Sequence, residues 1–397
     1  MKWMNGGVTA ALGFRASAVN AGIKRLNKPD LSLVVADELA VAAAVVTRNR
    51  VKAAPVLISQ ERIRAGQAQA ILLNSGCANC MTGVAGLRDA MVVSRSVAGA
   101  LRLTERHVLM ASTGMIGQRL PVARMLRSIP ALVQHLHRAN HTSAALGILT
   151  TDLKPKEAAV EARIHGSAVR VGGMAKGSGM IAPSMATMLC VMTTDAAVAP
   201  SLLRRLLRQA AARTFNQITI DGDMSTNDTV FALASGRSGA RVTGAAQKPF
   251  VQMLQAVMER LALMIVSDGE GATRMAEIIV EGARTEGEAS RCARSIANSP
   301  LVKTMVAGAD PNVGRVAAAA GASGAVFDPN RLDIWIEGQR MVVGGVAVRL
   351  SAAVSRRLMQ GPSVRIHVHL HAGRAASRMR TCDLTEEYVH INARYST

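Results

Sequence analysis

Between residues 31 and 47 the chain reads "LSLVVADELAVAAAVVT", two apolar runs of strand length split by the acidic pair Asp37-Glu38. Runs this short and rich in valine are buried most readily as strands of a layered sheet. The same grammar recurs along the chain. "AILLN" (70–74), residues 107–111, 187–194 and 229–234 read as strands, and "ITIDGD" (218–223) as the end of another. Helical patterns fall near 86–102, 200–213 and 246–266, and residues 157–164 and 167–172 read as a hairpin about His165-Gly166-Ser167. Such alternation predicts an α/β (α+β) protein with mixed sheets. The polar stretch "RTEGEAS" (284–290) suggests a boundary, beyond which residues 285–397 form a smaller mixed α/β domain. That domain reads as helix, strand, helix, a hairpin near 332–342, helix, the strand "VRIHVHLHAG" and a final strand.

A chain of 397 residues is long enough for a large core, and 49% apolar residues with ordinary glycine and charge content exclude a disordered chain. The outlier is charge: 47 basic against 27 acidic residues, a formal net charge of +20. That balance favours anionic partners. The densest basic group, "LLRRLLRQAAAR" (202–213), nevertheless has its leucines on one helical face and its arginines elsewhere, the pattern of a solvated amphipathic helix. Only 2% of residues are aromatic, too few for the stacking that nucleic-acid binding favours, so no nucleic-acid partner is expected. The start, "MKWMNGGVTAALGF", lacks the sustained apolar core of a signal peptide. No apolar run approaches the ~20 residues of a membrane span. The expectation is a cytoplasmic protein without a membrane partner.

Several motifs that suggest chemistry fail on inspection. Five cysteines make no disulfide framework, and Cys77 and Cys80 form a lone C-x-x-C without a second pair at zinc spacing. His367, His369 and His371 alternate on one strand face, but with no further ligand in register they read as the solvated edge of a sheet. "GMAKGSGM" (173–180) lacks the Ser or Thr that must follow a P-loop lysine. "GSGMIA" (177–182) is followed by Pro183, which blocks the helix a dinucleotide fingerprint requires. "DGD" (221–223) reads as a turn. No metal and no cofactor are expected.

One segment remains. In "KGSGMIAPSMATMLCVMTTD" (176–195), glycines and a proline break the backbone just before Ala186-Thr187 and an apolar strand. A threonine hydroxyl becomes a useful nucleophile when a base sits beside it, and the α-amine of an N-terminal threonine is such a base. That amine has a pKa of about 7.7–8.0, close to working pH. Creating it inside a chain requires scission before the threonine, by attack of its hydroxyl on the preceding carbonyl and hydrolysis of the ester. A small preceding residue leaves room for that attack, and Ala186-Thr187 meets the demand, as other Ala-Thr pairs would.

The wider context is more specific. "MAKGSGMIAPSMATMLCVMTTDA", "STGMIGQRLP" (112–121), "ILTTDLKPK" (148–156), "FNQITIDGDMSTNDT" (215–229), "SDGEGATR" (267–274), "DPNVGR" (310–315) and "EYVHINARYST" (387–397) resemble, in order and spacing, the glutamate N-acetyltransferase family, the ornithine acetyltransferases of arginine biosynthesis. The chain departs from that family's usual pattern at Ser184, Cys77, Met224, Val313 and Arg394.

The resemblance implies a self-processing αββα-type sandwich of the DmpA/ArgJ-like kind. It implies cleavage between Ala186 and Thr187 into an α chain (1–186) and a β chain (187–397) that remain together as an α2β2 heterotetramer. Thr187 would be the nucleophile, acetylated by N-acetylornithine and deacetylated by glutamate in a ping-pong cycle. Thr113 and Gly114 would form the oxyanion hole, and Thr150, Lys176, Thr187, Glu270, Asn392 and Thr397 would line the substrate site. A cationic Lys176 suits a carboxylate and Glu270 suits an ammonium. Acetyl-CoA enters only as an alternative acetyl donor. The competing readings are a self-cleaving aminopeptidase or amidase of the same superfamily and a basic nucleic-acid-binding protein.

Overall fold

The computed structural model describes all residues except 25–26, 183–187, 352–353, 355–356 and 395–397. Ala186, Thr187 and Thr397 therefore lie outside the described residues. The chain divides into two compact units, one built from Met1–Asn216 and Met224–Ile265, the other from Gln217–Asp223 and the chain from Val266 onward.

The first unit is organised by one strand. Strands β1 (Lys2–Met4), β2 (Phe14–Val19), β3 (Leu31–Val46), β4 (Gln67–Asn74), β5 (Val108–Ser112), β6 (Lys156–Ile164), β7 (Ser167–Lys176), β8 (Leu189–Thr194) and β9 (Thr229–Ala234) form a single sheet. Its order is β1-β6-β7-β8-β9-β3-β4-β5, with β2 also paired to β3. The two apolar runs expected as separate strands are one 16-residue strand. Its first half pairs with β2 and β4, its second with β9, and the register with β4 slips between Val35 and Ala40. The exposed Asp37, Glu38 and Leu39 sit at that slip. A bulge bends a strand sharply, and here it carries the sheet from one layer to the next.

The two limbs of the sheet share a core. Val34, Ile71, Leu73 and Leu109 from one limb belong to the same buried cluster as Met174, Leu189, Val191, Phe231 and Leu233 from the other. Behind the first limb, Leu33, Leu72 and Met110 pack with Val93 and Val97 of helix α2 (Gly83–Leu101) and Met125, Ile129 and Leu132 of α3 (Val122–Gln134). Helix α1 (Ala54–Arg62) packs on β5, and the short α4 (His141–Leu146) on β2 and β3. Helix α5 (Pro200–Arg213) packs on β3. Gly173 of β7 leaves space for α6 (Gln247–Ser267), since a Cβ there would lie 3.2 Å from Leu261. Helices thus cover both outer faces of two sheet layers, an αββα sandwich.

Helix α6 corrects the sequence expectation about apolar runs. By length and composition the segment Gly244–Ser267 could cross a membrane, yet more than half of it is buried within the fold. Phe250, Met253, Leu254, Val257, Met258 and Leu261 are enclosed, which marks a core helix.

The second unit has a sheet of β10 (Met275–Ala283), β11 (Asp333–Ile336), β12 (Gln339–Val343), β13 (Val346–Ala347), β14 (Ser363–His369) and β15 (Ala375–Cys382), in the order β13-β12-β11-β14-β10-β15. Ile278, Val280, Ile334, Ile366 and Val368 form its core with α7 (Glu286–Asn298), α8 (Pro300–Ala307) and α9 (Val313–Gly321). The polar 284–290 stretch lies inside this unit, where the Thr285 side chain accepts the Glu288 N–H and starts α7. Two further expectations change. The strand expected to end in 218–223 is one bridge, Ile218 to Arg380, followed by the expected turn, in which Asp221 accepts the Asp223 N–H. The three-histidine strand is interior, flanked by β10 and β11, so it is not an edge.

Candidate functional site

The "STGMIG" segment leaves β5 as a turn locked to the loop "NSGCANC" (74–80). Thr113 N–H donates to the Asn74 carbonyl at 3.0 Å, Ala78 N–H to the Met115 carbonyl at 3.0 Å, and Gly117 N–H to the Cys80 carbonyl at 2.9 Å. Gly114 has φ 127°, and a Cβ there would lie 2.3 Å from the carbonyl carbon of Gly76 and 2.6 Å from the Cys77 nitrogen. Backbone passes over backbone at this point, which only glycine permits. Cys77 and Cys80 are free and buried in the locking loop, and burial pushes the Cys77 thiol up.

Side chains distant in sequence hold this loop from behind. Asn227 donates to the carbonyls of Ala78 and Ser112, each at 2.7 Å. Ser112 Oγ donates to Asn74 Oδ1 at 2.6 Å, and Asn74 Nδ2 to the Cys77 carbonyl at 2.9 Å. Asn227 and Asn74 were not among the sequence candidates. A buried amide with satisfied bonds rigidifies what it touches, and here it touches the strand end that presents Thr113.

A second cluster forms at the end of β7. Lys176 Nζ donates to Thr150 Oγ1 at 2.7 Å and lies 3.5 Å from Asp152. Asp152 has a fully enclosed side chain that accepts Lys156 Nζ at 2.7 Å, the Gly177 N–H at 2.6 Å and the Thr150 N–H at 3.2 Å. Burial alone would raise its carboxyl, but the charges of Lys176 and Lys156 and these hydrogen bonds hold it well below the usual carboxylate range. Lys156 and Lys176 are themselves buried. Two ammonium groups thus share the Asp152 carboxylate. Asp152 and Lys156 stand in "ILTTDLKPK", where the spacing of four is the only local signal of their pairing.

The remaining described candidates lie in the second unit. Asn392, in the C-terminal helix Glu386–Arg394, donates to Glu270 Oε2 at 2.8 Å. The C-terminal helix is thus tied to Glu270 through Asn392. Gly271 (φ 67°) packs where a Cβ would lie 2.5 Å from the Tyr388 nitrogen, and Thr385 Oγ1 donates to the Gly271 carbonyl at 2.7 Å. Tyr388 donates to Asp221 at 3.4 Å. Its hydroxyl pKa is pushed above the ordinary phenol value by burial and by Asp221, Glu270 and Asp223. The surroundings of Glu270 are therefore acidic. Among the described residues no group of three or more His, Cys, Asp or Glu is arranged to hold a metal ion. His367 pairs with Glu281 and His371 with Asp333, each at 3.0 Å.

The "ArgJ family" model matches residues 15–397, covering both units and every described candidate above. The chain belongs to the ArgJ family. Curated ArgJ relatives match it end to end. "Arginine biosynthesis bifunctional protein ArgJ" of Thermosynechococcus vestitus is 45% identical over 99% of each chain. The protein of the same name from Symbiobacterium thermophilum is 45% identical over 100% of each. Among solved structures, an arginine biosynthesis bifunctional protein ArgJ from Bacillus halodurans is 38% identical, covering 51% of this chain and 97% of its own, with a TM-score of 0.49.

Proposed function

We propose that the chain is an acetyltransferase of arginine biosynthesis that moves the acetyl group of N2-acetylornithine to glutamate. What supports the reading is the full-length family match together with the buried, hydrogen-bonded cluster around Lys176. The precursor cleaves itself between Ala186 and Thr187, giving chains 1–186 and 187–397 that assemble as an α2β2 heterotetramer in the cytoplasm. The new α-amine takes the proton from Thr187 Oγ as that oxygen attacks the acetyl carbonyl. The Thr113 hydroxyl and the Gly114 N–H stabilise the tetrahedral oxyanion, as donors that cost ~10²–10³ in turnover when lost. Collapse breaks the C–N bond, the ornithine nitrogen leaves with the proton, and acetyl-Thr187 remains. The amine of glutamate then attacks that ester, and Thr187 Oγ regains a proton.

Lys176 and Thr150 receive a substrate carboxylate, and Glu270 with Asn392 receives the side-chain ammonium of ornithine. Thr397 completes the set assigned to substrate. The cycle needs no metal or coenzyme, and acetyl-CoA enters only as a second acetyl donor. Mass spectrometry of the purified protein tests processing: two fragments are expected, one beginning at Thr187, while Thr187→Ala stays a single inactive chain. An intact, fully active chain would overturn the reading. Incubation with N-acetylornithine tests transfer. N-acetylglutamate should appear only with glutamate present, and acetate released without glutamate would indicate a hydrolase. The same assay with acetyl-CoA decides whether the enzyme only recycles the acetyl group or also introduces it.

A further inference from the structure

Lys24 belongs to none of the assignments above, yet its course through the first unit joins the two clusters they rest on. The loop that carries it is fixed by Asp30, whose carboxylate accepts the N–H groups of Ala21 (2.6 Å), Ile23 (2.6 Å) and Lys24 (2.9 Å). Asp30 is fully buried, and its own carbonyl accepts the Ser75 N–H at 2.9 Å. The stem of Lys24 then crosses Gly76, where a Cβ would lie 2.8 Å from Lys24 Cγ. Gly76 is the residue over which the Gly114 turn passes. The head of Lys24 ends on the carbonyl of Leu149 at 3.1 Å, one residue before Thr150, whose hydroxyl accepts Lys176 Nζ.

The charge is as informative as the path. The hydrogen bond of Lys24 Nζ is to a neutral carbonyl. Among the described residues no carboxylate lies within ion-pair distance of it. Burial lowers its pKa, with Asp30 and Asp152 raising it and Lys28 and Lys176 lowering it further. A half-buried ammonium without a bonded counter-ion gains from any anion that reaches it.

We propose that Lys24 is a substrate-binding residue that pairs with the α-carboxylate shared by donor and acceptor. This rests on the acetyltransferase reading above. In an N-acetylated α-amino acid, three bonds separate the acetyl carbonyl carbon from the carboxylate carbon, a span of no more than about 4 Å. With the acetyl oxygen at the Thr113–Gly114 turn, the α-carboxylate falls beside the cation that runs past that turn. The terminal group of an ornithine or glutamate side chain lies several bonds further away. Lys24 and Lys176 then grip the same carboxylate from its two sides.

The test is steady-state kinetics on the processed two-chain enzyme. Lys24→Met is expected to raise KM for N-acetylornithine and for glutamate alike, each by about 10- to 100-fold, the size of a lost charge-assisted hydrogen bond. Lys24→Arg is expected to recover most of that loss. A donor with a carboxamide in place of the α-carboxylate should be poor with the wild type and equally poor with Lys24→Met. Intact mass and thermal midpoint report whether each variant folds and processes, and Lys24→Gln replaces Lys24→Met if that one does not. Unchanged KM values, a rise confined to one substrate, or an equal further loss with the carboxamide donor would each overturn the assignment. A wild type that moves no acetyl group overturns the acetyltransferase reading and this role with it. An active wild type beside an indifferent Lys24→Met overturns only this role.

Discussion

The cationic cluster of the first unit and the acidic corner of the second are built by opposite rules. The side chains of Asp152, Lys156 and Lys176 are all buried, and the hydrogen bonds Lys156–Asp152 and Lys176–Thr150 replace water that is absent. Asp221, Glu270 and Tyr388 are half-buried and Asn392 is exposed, so water can compete for the hydrogen bonds that join them. Removing a charge should therefore cost stability in the first region and mainly binding in the second. The sharpest way to break that contrast is Asp152→Asn. It removes the carboxylate that Lys156 and Lys176 share, a change that costs about 3–5 kcal/mol when one partner of a buried pair is lost. Urea unfolding should show this as a lowered midpoint. A midpoint within error of wild type would mean that the lysines reach solvent and that the cluster is not enclosed.

Acid and alkali should separate the two regions again. The Asp152 carboxyl has a folded pKa below its unfolded value of about 3.9. Its contribution is complete above that value and is lost as pH falls through the folded pKa, because the unfolded state then binds the proton first. Tyr388 has a folded pKa above its unfolded value of about 10. Its contribution is present below that value and is lost as pH rises through the folded pKa. Asp152→Asn should flatten the acid side of a thermal-midpoint profile and Tyr388→Phe the alkaline side. Identical profiles for both variants would show that other groups set the limits.

The same contrast explains what the sequence revealed. The apolar runs of the first unit were legible because each is a local pattern, and helix 200–213 was legible because Pro200 opens it and its leucines share a face. The union of two runs into β3 was hidden, since nothing local says that Asp37-Glu38 marks a bulge and not a turn. Helix α3 was masked by Pro130 in its interior. The turn at Gly114 was found through resemblance, but its support was not: Asn227 reaches Ala78 across 149 positions of sequence. The role of Asp152 likewise depends on Lys176 and Gly177, which no spacing rule places beside it. Buried polar partners are chosen by the fold, so they become visible only with it. The Ala186-Thr187 junction is the reverse case: it lies outside the described residues, and its assignment rests on the resemblance.

Asn227→Ala tests that hidden support. Losing the amide leaves two buried carbonyls without their donor, at about 1–3 kcal/mol. If Asn227 positions the Thr113–Gly114 turn, kcat should fall further than stability alone predicts, with KM for both substrates little changed. Lost stability with kcat intact would reduce it to a packing residue.

The smallest stability effect belongs to the acidic corner and sharpens the comparison most. Glu270→Gln keeps the shape of the side chain and its bond to the exposed Asn392 amide. The thermal midpoint should therefore stay near that of wild type, since surface substitutions usually change stability by no more than about 0.5 kcal/mol. What changes is the attraction for a cation. KM for N-acetylornithine should rise by roughly tenfold, the loss of a partly screened ion pair. KM for glutamate, whose side chain is an anion, should hold steady or fall. Parallel rises for both substrates would mean that Glu270 supports the fold of the C-terminal helix, and the ammonium of ornithine would then need another partner.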